Sequence, residues 1–222
     1  SYLLNEIFVK YLKSQGIDDS HIIKMDLDSP KNEKYHDALT LFNYLESLIK
    51  DNKTYYFLLD EIQFVNKFES ALNGLLRIRN VDIYVTGSNS KLLSSEISTY
   101  LTGRFVQIPI FTLSFSEFID FKKHYFPTST EISLEKYFEQ YLKSGGFPFI
   151  AKTNHNQEEN YQIIDGIYST VVTRDISKRH NISNLEMFNR VVRFILENLG
   201  KNFSAKTIFD FFKSQQRSIS IE

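Results

Sequence analysis

Apolar positions follow one pattern up to about residue 111 and another beyond it. Leu3, Leu4, Ile7, Phe8, Tyr11 and Leu12 recur at helical spacing, which predicts a helix over about residues 2–15 that stops at Gly16. The run "HIIKMDLD" (His21–Asp28) predicts a strand closed by Ser29-Pro30. Ala38, Leu41, Phe42, Leu45, Leu48 and Ile49 mark a second amphipathic helix. Tyr56–Leu59 is short and unbroken in its apolar character, the pattern of a strand covered on both faces. A helix over Phe68–Ile78 precedes the strand in "VDIYVTGS", where Val81, Ile83 and Val85 alternate before Gly87. "NSKLLSSEISTYLTG" reads as a helix ending at Gly103, and "RFVQIPI" as a strand after it. Strands alternating with helices in this way predict a mostly parallel sheet with helices on both faces.

Beyond Phe111 the strand signals stop. Ser114 with Glu117, and Thr128 with Glu131, have the spacing of capping boxes ahead of apolar helical stretches. "SGGFPFI" breaks the chain at Gly145-Gly146 and Pro148, and a long helix follows over about Glu158–Asp175. Met187–Leu199 and Ala205–Phe212 are the last two helical stretches, with Ser204 placed to cap the second. The chain carries neither an internal repeat nor a low-complexity segment.

Composition narrows the classes. A chain of 222 residues can bury a substantial core, and at 42% hydrophobic and 24% charged it has a globular composition. With 20 Phe, 13 Tyr and no Trp, aromatic packing should dominate the interior. No run approaches the roughly eighteen apolar residues of a membrane-spanning helix, so no membrane partner is expected. The absence of Cys excludes disulfides, thiolate metal sites and cysteine nucleophiles, and fits a reducing cytoplasm. The five His residues (His21, His36, His124, His155, His180) lack paired ligand spacing, so no transition-metal site is expected. The net charge of −1 conceals an asymmetry: residues 171–222 hold 9 Lys+Arg against 5 Asp+Glu. That basic final quarter hints at a polyanionic partner.

The candidate chemistry starts at "TYYFLLDEIQFV". A parallel strand ending in Asp60-Glu61 presents two carboxylates at the sheet edge where open α/β folds bind ligands. In phosphoryl-transfer enzymes such an Asp holds Mg²⁺ and such a Glu polarises the attacking water. The plain alternative is an acidic turn after a buried strand. The following strand also ends in a polar cluster, Thr86, Ser88 and Asn89, which would lie beside the acidic pair if the strands are neighbours. Its plain alternative is a turn with helix-capping residues.

"LLDEIQFVNKFESALNGLL", "DIYVTGSNSKLLSSEISTYLTGRF" and "IFTLSFSEFIDF" together resemble a family of prokaryotic AAA-type P-loop ATPases, over roughly residues 1–200. The resemblance implies a three-layer α/β P-loop NTPase-like core with a mostly parallel sheet over 1–112. A helical lid over 113–183 and the start of a winged helix-turn-helix over 184–222 would follow. It implies that Asp60 and Glu61 are the Walker B pair, for Mg²⁺ and for water activation. Ser88 and Asn89, with Thr86, would form the sensor region touching ATP. Arg104, in "TGRF", would be a phosphate sensor or an arginine finger, in its own subunit or in a neighbour within a homo-oligomer; its plain alternative is a surface ion pair. Ser1 would stand where the phosphate loop's last Ser or Thr contacts nucleotide and Mg²⁺. The Gly-rich loop and its Lys would then lie upstream, and the chain would be truncated at both ends.

The expected function is Mg²⁺-dependent ATP hydrolysis in the complete protein. The competing expectation is a non-catalytic nucleic-acid-binding or regulatory module on the same scaffold, contacting DNA through Arg190, Arg193, Lys201, Lys206, Lys213 and Arg217. The phosphate loop's backbone N–H groups and Lys are the main phosphate ligands of such a site. Isothermal titration of a chain that begins at Ser1 with Mg-ATP is therefore expected to show weak or no binding; micromolar affinity would overturn that expectation.

Overall fold

The computed structural model of the chain describes residues 2–87, 101, 103–127, 132–172, 176, 182 and 184–215. Two units divide it, Ser1–Ile108 and Pro109–Glu222.

The first unit is built around the unbroken apolar run. β2 (Tyr55–Asp60) is the middle strand of a parallel sheet, between β1 (Ile22–Asp26) and β3 (Val81–Val85). Tyr55, Phe57 and Leu59 point into one apolar cluster with Leu41, Leu45, Leu72 and Leu75. Those partners come from α2 (Ala38–Ser47) and α3 (Phe68–Leu75). Leu58 points the other way, into a cluster with Leu4, Val9 and Leu12 of α1, which consists of a π-helical Leu3–Phe8 running into an α-helical Val9–Ser14. The result is helix, sheet, helix, and it accounts for β2 having no polar face until Asp60.

Helix boundaries follow local chemistry. α1 gives way at Gly16, whose φ of 81° is in the left-handed region that glycine adopts without strain. Asp37 caps α2 by accepting from the Thr40 N–H (3.0 Å), a bond that holds its carboxyl below its ordinary range. β1 and β3 are bound to β2 in register, Asp26 opposite Asp60 and Val85 opposite Leu59, so all three strands end on one edge.

The "RFVQIPI" segment departs from expectation. Residues 105–110 form no strand, and Val106, Ile108 and Ile110 are 88%, 70% and 67% exposed. Their β propensity expresses fit to a half-buried pleated surface and leads to no strand without a neighbour to pair with. Among the described residues no strand pairs with them. The helix expected over "NSKLLSSEISTYLTG" falls almost wholly outside the described residues.

The second unit is helical where it is described. α4 (Phe115–Tyr125) carries the expected Ser114/Glu117 capping box. α5 (Leu134–Ser144) is capped by Ser133, which accepts from the Lys136 N–H; Thr128 and Glu131 lie outside the described residues. The short α6 (Pro148–Ala151) and α7 (Gln157–Thr170) follow, α7 with a capping box from Asn156 and Glu159. Phe118, Tyr137 and Ala151 form the core. Lys122 Nζ donates to the carbonyls of Thr153 (2.9 Å) and Ile150 (3.4 Å) at the end of α6, and burial lowers its pKa. α8 (Leu185–Glu197) and α9 (Ala205–Ser214) meet through Phe194 against Phe211, with ring centroids 4.6 Å apart. Ser204 caps α9 as expected. Among the described residues no helix is long and apolar enough to cross a membrane.

Two substitutions test this packing. Phe57→Ala, at a fully buried position, should destabilise the first unit by about 3–5 kcal/mol in urea unfolding. Gly146 lies against Leu113, where an added Cβ would be 2.1 Å from the carbonyl oxygen, so Gly146→Ala should cost the second unit about 1–3 kcal/mol.

Candidate functional site

The carboxyl edge of the sheet concentrates the polar groups of the first unit. β2 ends at Asp60, and the chain turns at Glu61, a non-glycine residue with φ 57° and ψ 48°. The left-handed conformation costs an L-residue with a side chain roughly 1–2 kcal/mol. It persists here because β3 grips the turn. The Thr86 N–H donates to the Leu59 carbonyl (3.0 Å), and the Thr86 carbonyl accepts from the Ile62 N–H (3.0 Å).

The Thr86 hydroxyl joins the two acids. It donates to Asp60 Oδ1 and accepts from the backbone N–H of Glu61 (3.3 Å). Asp60 is buried, and its second oxygen accepts from Asn5 Nδ2 on α1 (3.1 Å). Glu61 is half-buried, and its Oε2 accepts from Gln63 Nε2. A carboxylate removed from water needs such donors, because an unpaired buried charge is strongly unfavourable. Asp26, beside Asp60 in the register, has its pKa raised, first by a hydrogen bond shared with the Asp28 carboxyl and then by burial.

Of the residues expected from the sequence, Asp60, Glu61 and Thr86 are brought together here. Ser1, Ser88 and Asn89 lie outside the described residues. Arg104 follows the turn at Gly103 (φ 70°), is exposed, and forms no ion pair with another described residue. Its backbone N–H donates to the Leu101 carbonyl (2.9 Å). Sequence reasoning missed Asn5 and Gln63. Gln63 sits two residues past Glu61 and was open to suspicion on spacing alone; nothing in the sequence connects Asn5 to a strand fifty-five positions away.

The oxygen donors at this edge are carboxylate and hydroxyl, both hard ligands. Among the described residues no group of three or more His, Cys, Asp or Glu could enclose a metal ion. A fully protein-ligated metal centre does not fit these residues. A hydrated Mg²⁺ held through one carboxylate does, since that ion keeps most of its water and takes its remaining ligands from phosphates.

A parallel α/β layer with paired carboxylates at its carboxyl edge belongs to the class of folds that bind ligands at that edge. Residues 1–119 match the family described as AAA domain, and the chain belongs to that family. Residues 135–220 match a domain of unknown function. An uncharacterized protein of Haemophilus influenzae is 32% identical over 207 residues, covering 93% of this chain and 50% of that protein. An uncharacterized protein of Methanocaldococcus jannaschii is 35% identical over 234 residues, covering 100% of this chain and 49% of that one. The chain thus spans about half the length of the curated relatives it matches.

Thr86→Val keeps the side-chain shape and removes the hydroxyl that joins the acids. It should destabilise the first unit by about 1–3 kcal/mol in chemical denaturation, and Thr86→Ser should restore most of the loss.

Proposed function

We propose that this chain carries the magnesium-binding and water-activating residues of an AAA-type ATPase site. The observation that supports the reading most is the strained turn at Glu61, clamped by Thr86 beside the buried Asp60. Backbone strain of this kind is concentrated at functional sites, where the surrounding structure holds it in place. In this reading Asp60 and Glu61 are the Walker B pair. Asp60 would hold Mg²⁺ through its water shell, with Ser1 as a further ligand. Glu61 accepts a proton from the water that attacks the γ-phosphate of ATP. Ser88 and Asn89 sense the terminal phosphate and orient that water, while Thr86, whose hydroxyl is committed to Asp60 and the Glu61 N–H, holds the two acids. Bound Mg²⁺ would supply positive charge against the charge that develops on the phosphate. Arg104, exposed and unpaired among the described residues, is free to reach a phosphate in its own subunit or a neighbour's in a homo-oligomer.

The second unit is read as a helical lid over 113–183, followed by α8 and α9 as the first two helices of a winged helix. One observation favours a nucleic-acid-binding role there. Lys201, Lys206 and Lys213 are exposed around α9, whereas Arg190 is taken up by an ion pair with Glu186. DNA retardation that weakens with salt and ignores ATP would support that second reading.

The hydrolase reading is tested by Glu61→Gln in the full-length protein. Nucleotide binding should stay within about twofold of the parent while turnover falls by about 10² or more, the scale of a lost general base. Unchanged turnover would remove Glu61 from catalysis.

A further inference from the structure

The acidic pair is held from two directions by carboxamides. Asn5 on α1 donates Nδ2 to Asp60 Oδ2 (3.1 Å), and Gln63, in the turn after β2, donates Nε2 to Glu61 Oε2. In both amides the carbonyl oxygen is sealed from solvent and accepts no hydrogen bond among the described residues. Flipping either amide does not repair this. A flip would press the oxygen against a carboxylate, so an ionised Asp60 or Glu61 itself dictates which end faces inward.

A buried acceptor without a donor is unfavourable, and native proteins carry few of them. The N–H ends pair the two acids, whereas the orphaned oxygens cost stability, so an amide at these positions is a compromise made for the sake of the carboxylates. What the amides supply is direction. Asp60 has Oδ1 fixed by Thr86 from β3 and Oδ2 fixed by Asn5 from α1. Glu61 has its backbone fixed by Thr86 and Oε2 fixed by Gln63, leaving Oε1 without a bond to a described residue. A carboxylate with one oxygen pinned and the other open is aimed, where an unpinned Glu would sample several rotamers.

We propose that Asn5 and Gln63 are positioning residues of the acidic pair: Asn5 orients Asp60 towards a hydrated divalent cation, and Gln63 orients Glu61 towards the water it polarises. The inference rests on the hydrolase reading above. Both residues act through the carboxylates, and neither touches cation or nucleotide.

Three measurements test it together: Mn²⁺ binding to the chain by electron paramagnetic resonance, thermal unfolding of the metal-free chain, and ATP turnover by the full-length protein. Asn5→Leu should weaken Mn²⁺ binding by about tenfold, as loss of a ligand-orienting partner does elsewhere. Gln63→Leu should leave Mn²⁺ affinity unchanged and lower kcat by about tenfold or more at constant KM for ATP, the pattern of an interaction used only in the transition state. Gln63→Glu, which keeps the shape but cannot donate, should lose as much. The melting temperature of Gln63→Leu, beside the half-buried Glu61, should match that of the parent, and that of Asn5→Leu, which takes one donor from the buried Asp60, should fall no further than that of Thr86→Val. Asp60→Asn and Glu61→Gln serve as references. If they lose Mn²⁺ binding and turnover respectively while the leucine variants keep both, the positioning role is overturned and the hydrolase reading survives. Losses that vanish once each variant is assayed well below its own melting temperature would assign Asn5 and Gln63 a purely structural role and also overturn the proposal. Parent-like behaviour of Asp60→Asn and Glu61→Gln would overturn the hydrolase reading itself.

Discussion

The first unit depends on burial of β2 from both faces. A strand whose side chains enter two separate apolar clusters cannot slip by one residue, because the slip would exchange every side chain between the faces. That constraint sets the register to β1 and β3 and brings the three strand ends to one edge. Asp60 is the first residue of β2 whose side chain is charged, and it lies at the point where burial gives way to the turn. The location of the acidic pair is thus a consequence of packing deeper in the sheet. The chemistry there needs only donors from neighbouring elements, and these come from α1, β3 and the turn itself.

Thr86 shows how a fold converts backbone order into side-chain order. Its N–H and carbonyl extend the β2–β3 pairing across the bend, and its hydroxyl then spans Asp60 and the Glu61 amide. One residue therefore continues the sheet and stabilises a left-handed turn that would otherwise unwind. The amides of Asn5 and Gln63 complete the arrangement, leaving two buried oxygens without donors among the described residues. Strain at Glu61 and unmet hydrogen bonds lie within a few residues of each other. Local choices agree with the fold at the Asp37 cap and the Gly16 stop. Lys67, ahead of α3, shares the left-handed conformation (φ 55°), but at Glu61 that conformation coincides with a buried acid and two sealed amide oxygens.

Membership of the AAA domain family and the match to a domain of unknown function divide the chain near where its structure divides. The second unit has its own core around Phe118 and Tyr137 and its own helix caps. Its basic character near the end is a property of composition, and ion pairing already uses part of that charge.

Much of this was legible in the sequence. The unbroken run at Tyr56–Leu59 announced a doubly covered strand, helical spacing located α1, α2 and α3, and Ser114 and Ser204 marked caps that the structure carries. Those features depend on residues close together in the chain, where steric fit and short-range hydrogen bonds are decided. The "RFVQIPI" segment was misread for the complementary reason: its alternation is local, but a strand requires a partner that composition does not specify. Asn5 was invisible because its contact with Asp60 links a helix to a strand far along the chain. Gln63 was visible as a residue and silent as a role, since which end of an amide faces a carboxylate is fixed only by what surrounds it. The sequence determined that two acids would stand at the end of a buried strand. Only the tertiary structure decided which oxygens are held and from which side, because those bonds come from elements that folding alone brings together.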